Sequence, residues 1–192
     1  MTFRHVWSTS LVECQFRYQA TLRRTPGERY PAGVAAHPRP TARVLLIAPG
    51  DRILLFRWID PETGRVVWFT PGGGLHLGES YADAARRELR EEVGIDPVEI
   101  GPCVWIRRHV LPRTLTPSLD LRERFFVARV GDIAIDTTGF TLAEAEAISE
   151  SRWMSPEEIA GLPDIVAPRR LAELLPPILR GEYPSPPIDV GV

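Results

Sequence analysis

Residues 73–95 read GGLHLGESYADAARRELREEVGI, with Pro71-Gly72 immediately before them. Ser80 is placed to cap a helix, Ala82, Ala84 and Ala85 suit its body, and Gly94 is placed to end it. Tyr81, Ala85, Leu89 and Val93 recur every four residues and predict the buried stripe. At about 100° per residue, Glu88 and Glu92 lie roughly 40° apart around the axis, with Glu91 about 60° to the other side of Glu88. The three carboxylates therefore converge within about 6 Å of helix length. Like charges at these spacings repel by roughly a few tenths of a kcal/mol each. A hard cation with oxygen ligands, Mg²⁺ or Mn²⁺, would turn that cost into a gain.

A charge run on a helix also has a plainer reading. Arg87 with Glu91, or Arg90 with Glu91 and Glu92, would make surface ion pairs on a solvated face. The glycines tip the balance toward metal. Pro71-Gly72-Gly73-Gly74 is backbone almost without side-chain bulk, suited to close approach of a ligand or to carbonyls aimed at a cation.

The spacing Gly73, five residues, Glu79, seven residues, then Arg87-Glu88-Leu89-Arg90-Glu91-Glu92-Val93-Gly94-Ile95 resembles the complete motif of the Nudix hydrolases. The resemblance covers about residues 41–160. It implies an α/β/α sandwich around a mixed sheet and Mg²⁺-dependent hydrolysis of a nucleoside diphosphate linked to another group. By position it implies that Glu88, Glu91 and Glu92 bind metal, with the Gly72 carbonyl as a further ligand. Gly73, Glu79, Arg87 and Gly94 would shape the motif, Glu79 and Arg87 as a structural pair.

Hydrolysis also needs a proton acceptor. Glu88, Glu91 and Glu123 are the acids assigned to catalysis, with Glu88 and Glu123 as candidate bases. Glu123 shares a strand face with Leu121, Phe125 and Val127, so its carboxylate points inward and needs a partner. That partner is either metal, as the resemblance favours, or an arginine such as Arg107 or Arg108. Arg57, Arg107, Arg108 and Arg122 are the candidate substrate clamps, because planar guanidinium groups on strands suit a diphosphate. Trp58, Trp68, Phe69 and Trp105 are read as core or as base-stacking groups, and His109 as a structural group or a base contact.

Around this motif the chain alternates strand and helix patterns. Residues 42–48 and 52–58 form a hairpin-like pair around Pro49-Gly50-Asp51, and residues 66–70 feed the glycine turn. Further strands are expected over 98–110, 121–130, 133–136 and 152–154, the last of these closing the set. Helices are expected over 141–150, after the capping box Ser155-Pro156-Glu157-Glu158, and over 168–175, stopped by Pro176-Pro177. Residues 41–181 are read as the domain and 182–192 as a proline-rich tail, loose or wrapped.

Charge separates off the leader. Residues 1–40 hold six Arg against two acids, and the remainder 17 Arg against 23 acids, so +4 and −6 give the net −2. This basic extension reads as strands followed by a Pro/Gly-rich arm. It is expected to pack on the core or on a dimer partner in preference to nucleic acid, because it has no basic helix or aromatic-interleaved strand. All 23 basic residues are arginine, which excludes P-loop and Schiff-base lysines. Two cysteines do not make a disulfide framework, no apolar run approaches a membrane span, and a cytoplasmic location is expected.

Marks for particular substrates are missing. The resemblance would place a tyrosine about 17 residues after the motif in enzymes of dinucleoside polyphosphates, and a proline near 110–111 in those of ADP-ribose. Tyr183 is the only downstream tyrosine, and Pro112 is out of register. Nucleoside triphosphates, ADP-ribose-like compounds or another diphosphate derivative stay open. A nucleotide-sensing module without turnover is the alternative, disfavoured by the intact acids. An isoprenoid diphosphate isomerase would need a degraded motif and a catalytic cysteine.

Overall fold

The computed structural model describes residues 36–60, 63–111 and 118–191. The readings for residues 1–35 and for Pro112 lie outside these ranges. Strand β1 (His37–Ala48) turns through Gly50 and Asp51, both at positive φ, into β2 (Arg52–Ile59). The two strands stay paired only at Ile47↔Ile53 and Ala48↔Arg52. Beyond that point β2 leaves β1 and pairs instead with β3 (Val66–Phe69). The edge of β1 that β2 vacates is taken by the glycine turn. Ala42 N donates to Gly73 O and Val44 N to Pro71 O, both at 2.9 Å, and Leu75 N reaches Pro40 O at 3.2 Å.

β1 starts five residues before the expected position and includes Pro38 and Pro40. These prolines share the parity of Ala42 and Val44, whose N–H groups point to the turn. Their missing N–H groups are therefore not subtracted from the parallel ladder with β5 (Leu119–Arg129), which runs from His37↔Leu119 to Ile47↔Arg129. β4 (Cys103–Leu111) pairs antiparallel with β5.

Helix α1 (Tyr81–Val93) follows the glycine turn, capped by Ser80 and ended by Gly94 in the left-handed conformation. It packs on the sheet face carrying Ala42, Val44, Leu46, Leu54, Phe56, Phe126 and Ala128. The opposite face, with Leu45, Ile47, Ile53, Leu55, Phe125 and Val127, is covered by the C-terminal helices. Two helical layers on a mixed sheet give the expected α/β/α sandwich.

Four local readings change. Residues 133–136 form no strand: Ile133 and Ile135 pack on the α1-side core, and Asp136 N bonds Val93 O at the end of α1. α2 (Leu142–Ala147) is shorter than expected because residues 148–150 enter β6 (Ile148–Met154), which pairs with β2. Nor is β6 the last strand. After α3 (Pro156–Ala160), β7 (Ile165–Ala167) adds parallel to β3, and the wrapped tail supplies β8 (Ile188–Asp189) beside β4. Finally, α4 (Leu171–Leu179) runs through Pro176 and Pro177. Its Leu171, Leu175, Ile178 and Leu179 are buried at i, i+4, i+7 and i+8. Burial worth about 1.5–3 kcal/mol per such side chain outweighs a penalty of about 3 kcal/mol for an internal proline. Among the described residues no helix is long and apolar enough to cross a membrane.

Candidate active site

The glycine turn can lie against β1 because its residues lack a β-carbon. Gly72 has φ 128°, and a Cβ there would sit 2.1 Å from Ala42 O. At Gly73 a Cβ would meet the Glu88 carboxylate at 2.3 Å. The turn thus holds its backbone against the α1 acids.

Those acids are not on a solvated face. Glu88 and Glu92 are buried, 0% and 3% exposed, beside Ala84, Ala85, Leu89 and Val93, whereas the Glu91 side chain is partly exposed. Glu92 Oε2 accepts from Gly72 N at 2.7 Å. Glu88 Oε1 accepts from Arg87 Nη1 at 2.7 Å, and its Oε2 is buried without a hydrogen-bond partner. Burial pushes the Glu88 carboxyl up to about 7; Arg87 opposes this, and Glu91 and Glu144 reinforce it. Burial, together with Glu88 and Glu144, drives Glu92 well above its ordinary range.

Arg87 ties the motif together. Its Nε and Nη2 each lie 2.9 Å from a Glu79 oxygen, Nη2 also donates to Gly74 O at 2.9 Å, and Nη1 reaches Glu91 at 3.2 Å. Glu79 in turn accepts from His76 N at 2.8 Å. This pair joins the loop to α1.

Glu144, which the sequence reading passes over, belongs with these acids. It is the acidic member of the Thr141 capping box, and its Oε2 accepts from Thr141 N and Oγ1 at 2.8 and 2.9 Å. Its Oε1 is buried and unpartnered, and its charge acts on both Glu88 and Glu92. The available signal was a capping glutamate that turns out 3% exposed on a short surface-type helix.

Glu123 lies elsewhere. It shares the face of Phe125 and Val127, so the sheet separates it from α1. Arg43 Nε binds its Oε1 at 2.9 Å and Arg107 Nε binds its Oε2, so the partner seen is arginine. Burial raises the Glu123 carboxyl, but Arg43 and Arg107 outweigh it and hold it down to about 2. Arg43 also donates to Gly72 O at 2.8 Å and lies over the Phe69 ring at 5.2 Å, linking this cluster to the glycine turn. A cavity of about 350 Å³ opens beside this cluster, lined among others by Arg43, Trp58, Arg65, Phe69, His109 and Arg169.

Of the four expected arginine clamps, Arg107 lines the cavity and the others do not. Arg57 bonds Ser149 and lies 3.8 Å from Asp164. Arg108 and Arg122 both grip Asp120, on strand positions that alternate to the other side of the sheet. Trp68 and Trp105 are core, whereas Trp58 and Phe69 reach the cavity.

As the side chains stand, no three acidic, His or Cys groups among the described residues form a cation cage. Arg87 and the Gly72 N–H hold the α1 acids in place of a cation. The donor set nevertheless suits one. It is all hard oxygen, and two of its buried atoms, Glu88 Oε2 and Glu144 Oε1, lack any partner.

Comparison with known proteins gives the family and the fold. The model of the NUDIX domain family matches residues 37–176. The RNA pyrophosphohydrolase of Novosphingobium aromaticivorans is 31% identical over 143 residues, spanning 68% of this chain and 83% of that protein. That of Acinetobacter baylyi is 33% identical over 126 residues, spanning 61% and 73%. In fold, the chain is similar to the MutT protein from Methanosarcina mazei Go1, with TM-score 0.57, 21% identity, and coverage of 73% and 94%. An ADP-ribose pyrophosphatase from Streptococcus suis matches with TM-score 0.50 and 22% identity, covering 79% and 98%.

Proposed function

The chain belongs to the NUDIX domain family and is a Nudix-type pyrophosphohydrolase, and from that premise we propose how it acts and on what. The reaction is divalent-metal-dependent attack of water on a phosphoanhydride of a nucleoside diphosphate derivative. Relatives named as RNA pyrophosphohydrolases support a nucleotide-derived substrate, which includes a 5′-phosphorylated RNA end. The observation that carries the reading is the buried acid group at α1, with two partnerless oxygens and too little positive charge to neutralise it.

Glu88, Glu91, Glu92 and Glu144 would hold Mg²⁺ or Mn²⁺, with the Gly72 carbonyl beside them. When bound, the ion neutralises phosphate oxygens and lowers the pKa of attacking water. The protein's own groups do the rest. Arg87 and Glu79 fix the loop against α1, and the Thr141 cap aims Glu144 at the same point. The proton acceptor is drawn from Glu88 and Glu144. Glu123 is assigned to positioning, since both its oxygens are taken by arginines, one of which, Arg43, also grips the glycine turn.

The test is a panel of nucleoside triphosphates, ADP-ribose, NADH, dinucleoside polyphosphates and 5′-triphosphorylated RNA with Mg²⁺ or Mn²⁺, reading released phosphate or pyrophosphate. Wild type is expected to turn over at least one class, and Glu92→Gln to lose that turnover. Wild-type turnover by Glu92→Gln would overturn the metal assignment. No turnover of any compound would favour the sensing module.

A further inference from the structure

The cavity beside Arg43 has a directional lining. Arg65, Val67 and Phe69 alternate along one face of β3 and its entry, so they form a wall. Phe69 stands at the glycine-turn end, with the Arg43 guanidinium over its ring and Arg43 Nη1 on Gly72 O. Arg65 stands at the other end, four residues and therefore roughly 13 Å away along the strand. Trp58, half-buried and paired with Val67, flanks the middle of this wall.

The polar groups divide in the same way. Arg43 and Arg107 share the single Glu123 carboxylate. Arg65 and Arg169 have no carboxylate partner among the described residues, and both are exposed on the rim. Since β7 runs parallel to β3 with Phe69↔Ala167 in register, Arg169 follows toward the glycine-turn end, leaving Arg65 as the distant cation without a carboxylate partner among the described residues. In the same lining, His109 Nδ1 is buried without a hydrogen-bond partner, 3.8 Å from Glu123 Oε2. An apolar, aromatic slot with one unsatisfied ring nitrogen and an exposed arginine at its far end matches a nucleoside carrying a second anionic group.

Resting on the hydrolase reading above, we infer that this cavity selects substrates bearing a further phosphate beyond the nucleoside. Trp58 and Phe69 would enclose the base, His109 Nδ1 would bond its edge or the sugar, and Arg65 would take the distal phosphate. A nucleoside 3′-phosphate and the 3′-phosphodiester of an oligonucleotide share this chemistry.

The test measures Kd, by tryptophan quenching with Ca²⁺, for three compounds differing only at the 3′ position. These are a nucleoside 5′-triphosphate, its 3′-phosphate, and the dinucleotide with a 3′-phosphodiester, with hydrolysis of each followed separately in Mg²⁺. A charge-assisted contact is worth about 1.5–3 kcal/mol, so the distal phosphate is expected to tighten binding by about 10-fold or more. Arg65→Ala should bring that ratio to within about two-fold, while exposed Arg52→Ala, whose parent side chain pairs with Glu158 away from the cavity, keeps it. Preference for both phosphorylated compounds includes oligonucleotide ends, and preference for the 3′-monophosphate alone restricts the class to small molecules. Equal affinities in wild type, or an undiminished ratio in Arg65→Ala, would overturn the inference. Preferential binding without hydrolysis of any compound would overturn the hydrolase reading and leave this one standing.

Discussion

Two buried acid sites lie on opposite faces of one sheet, and the protein treats them in opposite ways. Glu123 is enclosed by two arginines and held far below its ordinary range. Glu88, Glu92 and Glu144 are equally buried; Arg87 donates to Glu88, the Gly72 N–H donates to Glu92 and the Arg43 charge favours ionised Glu92, yet both carboxyls are pushed upward. A self-neutralised acid is a structural part. An acid group left short of positive charge is stable only with protons or a cation, and in the proposed reading this difference separates scaffold from reaction centre.

The comparison is broken most directly through variants. Glu92→Gln or Glu88→Gln should reduce kcat by on the order of 10³-fold, the loss expected when several kcal/mol of metal-based stabilisation disappear, measured by steady-state kinetics. Glu123→Ala should instead destabilise the fold by about 3–5 kcal/mol, because it leaves Arg43 and Arg107 buried and unpaired, and this is read by denaturant unfolding. If Glu123→Ala keeps full stability, the scaffold assignment fails.

Proton linkage sharpens the contrast, since the two sites carry opposite signs. In metal-free protein, the raised Glu88 carboxyl contributes stability below its ordinary value of 4.5 that is lost as pH rises through about 7. The lowered Glu123 carboxyl contributes stability above 4.5 that is lost as pH falls through about 2. Unfolding free energy without metal, read by denaturant titration, is therefore expected to decline between pH 5 and 8 by an amount on the order of a few kcal/mol. Glu88→Gln should flatten that decline and Mg²⁺ should reverse it. The smallest effect is expected at Thr141→Ala, which removes a cap worth about 1 kcal/mol and frees Glu144. Its kcat should fall about 10-fold or more, with little change in Kd for substrate.

The α1 acids were legible because i, i+3 and i+4 spacing places them together whatever the rest of the chain does. Glu123 was legible only as inward-facing. Its partner Arg43 is 80 residues away, and only the parallel β1–β5 register brings the two together. Glu144 escaped because it sits in a short stretch that reads simply as helix, and only the structure shows that its cap to Thr141 uses one of its two oxygens. The extent of α4 escaped because tertiary burial of its leucines outweighs the local signal of two prolines.

In the proposed function the acids at α1, and not Glu123, form the cation site. Mn²⁺ titration followed by EPR on folded wild type, Glu92→Gln and Glu123→Gln addresses it without substrate. Glu92→Gln is expected to weaken Mn²⁺ binding by about 30-fold or more, a loss of about 2 kcal/mol, with Glu123→Gln within about three-fold of wild type. Wild-type affinity in Glu92→Gln together with lost binding in Glu123→Gln would contradict the account.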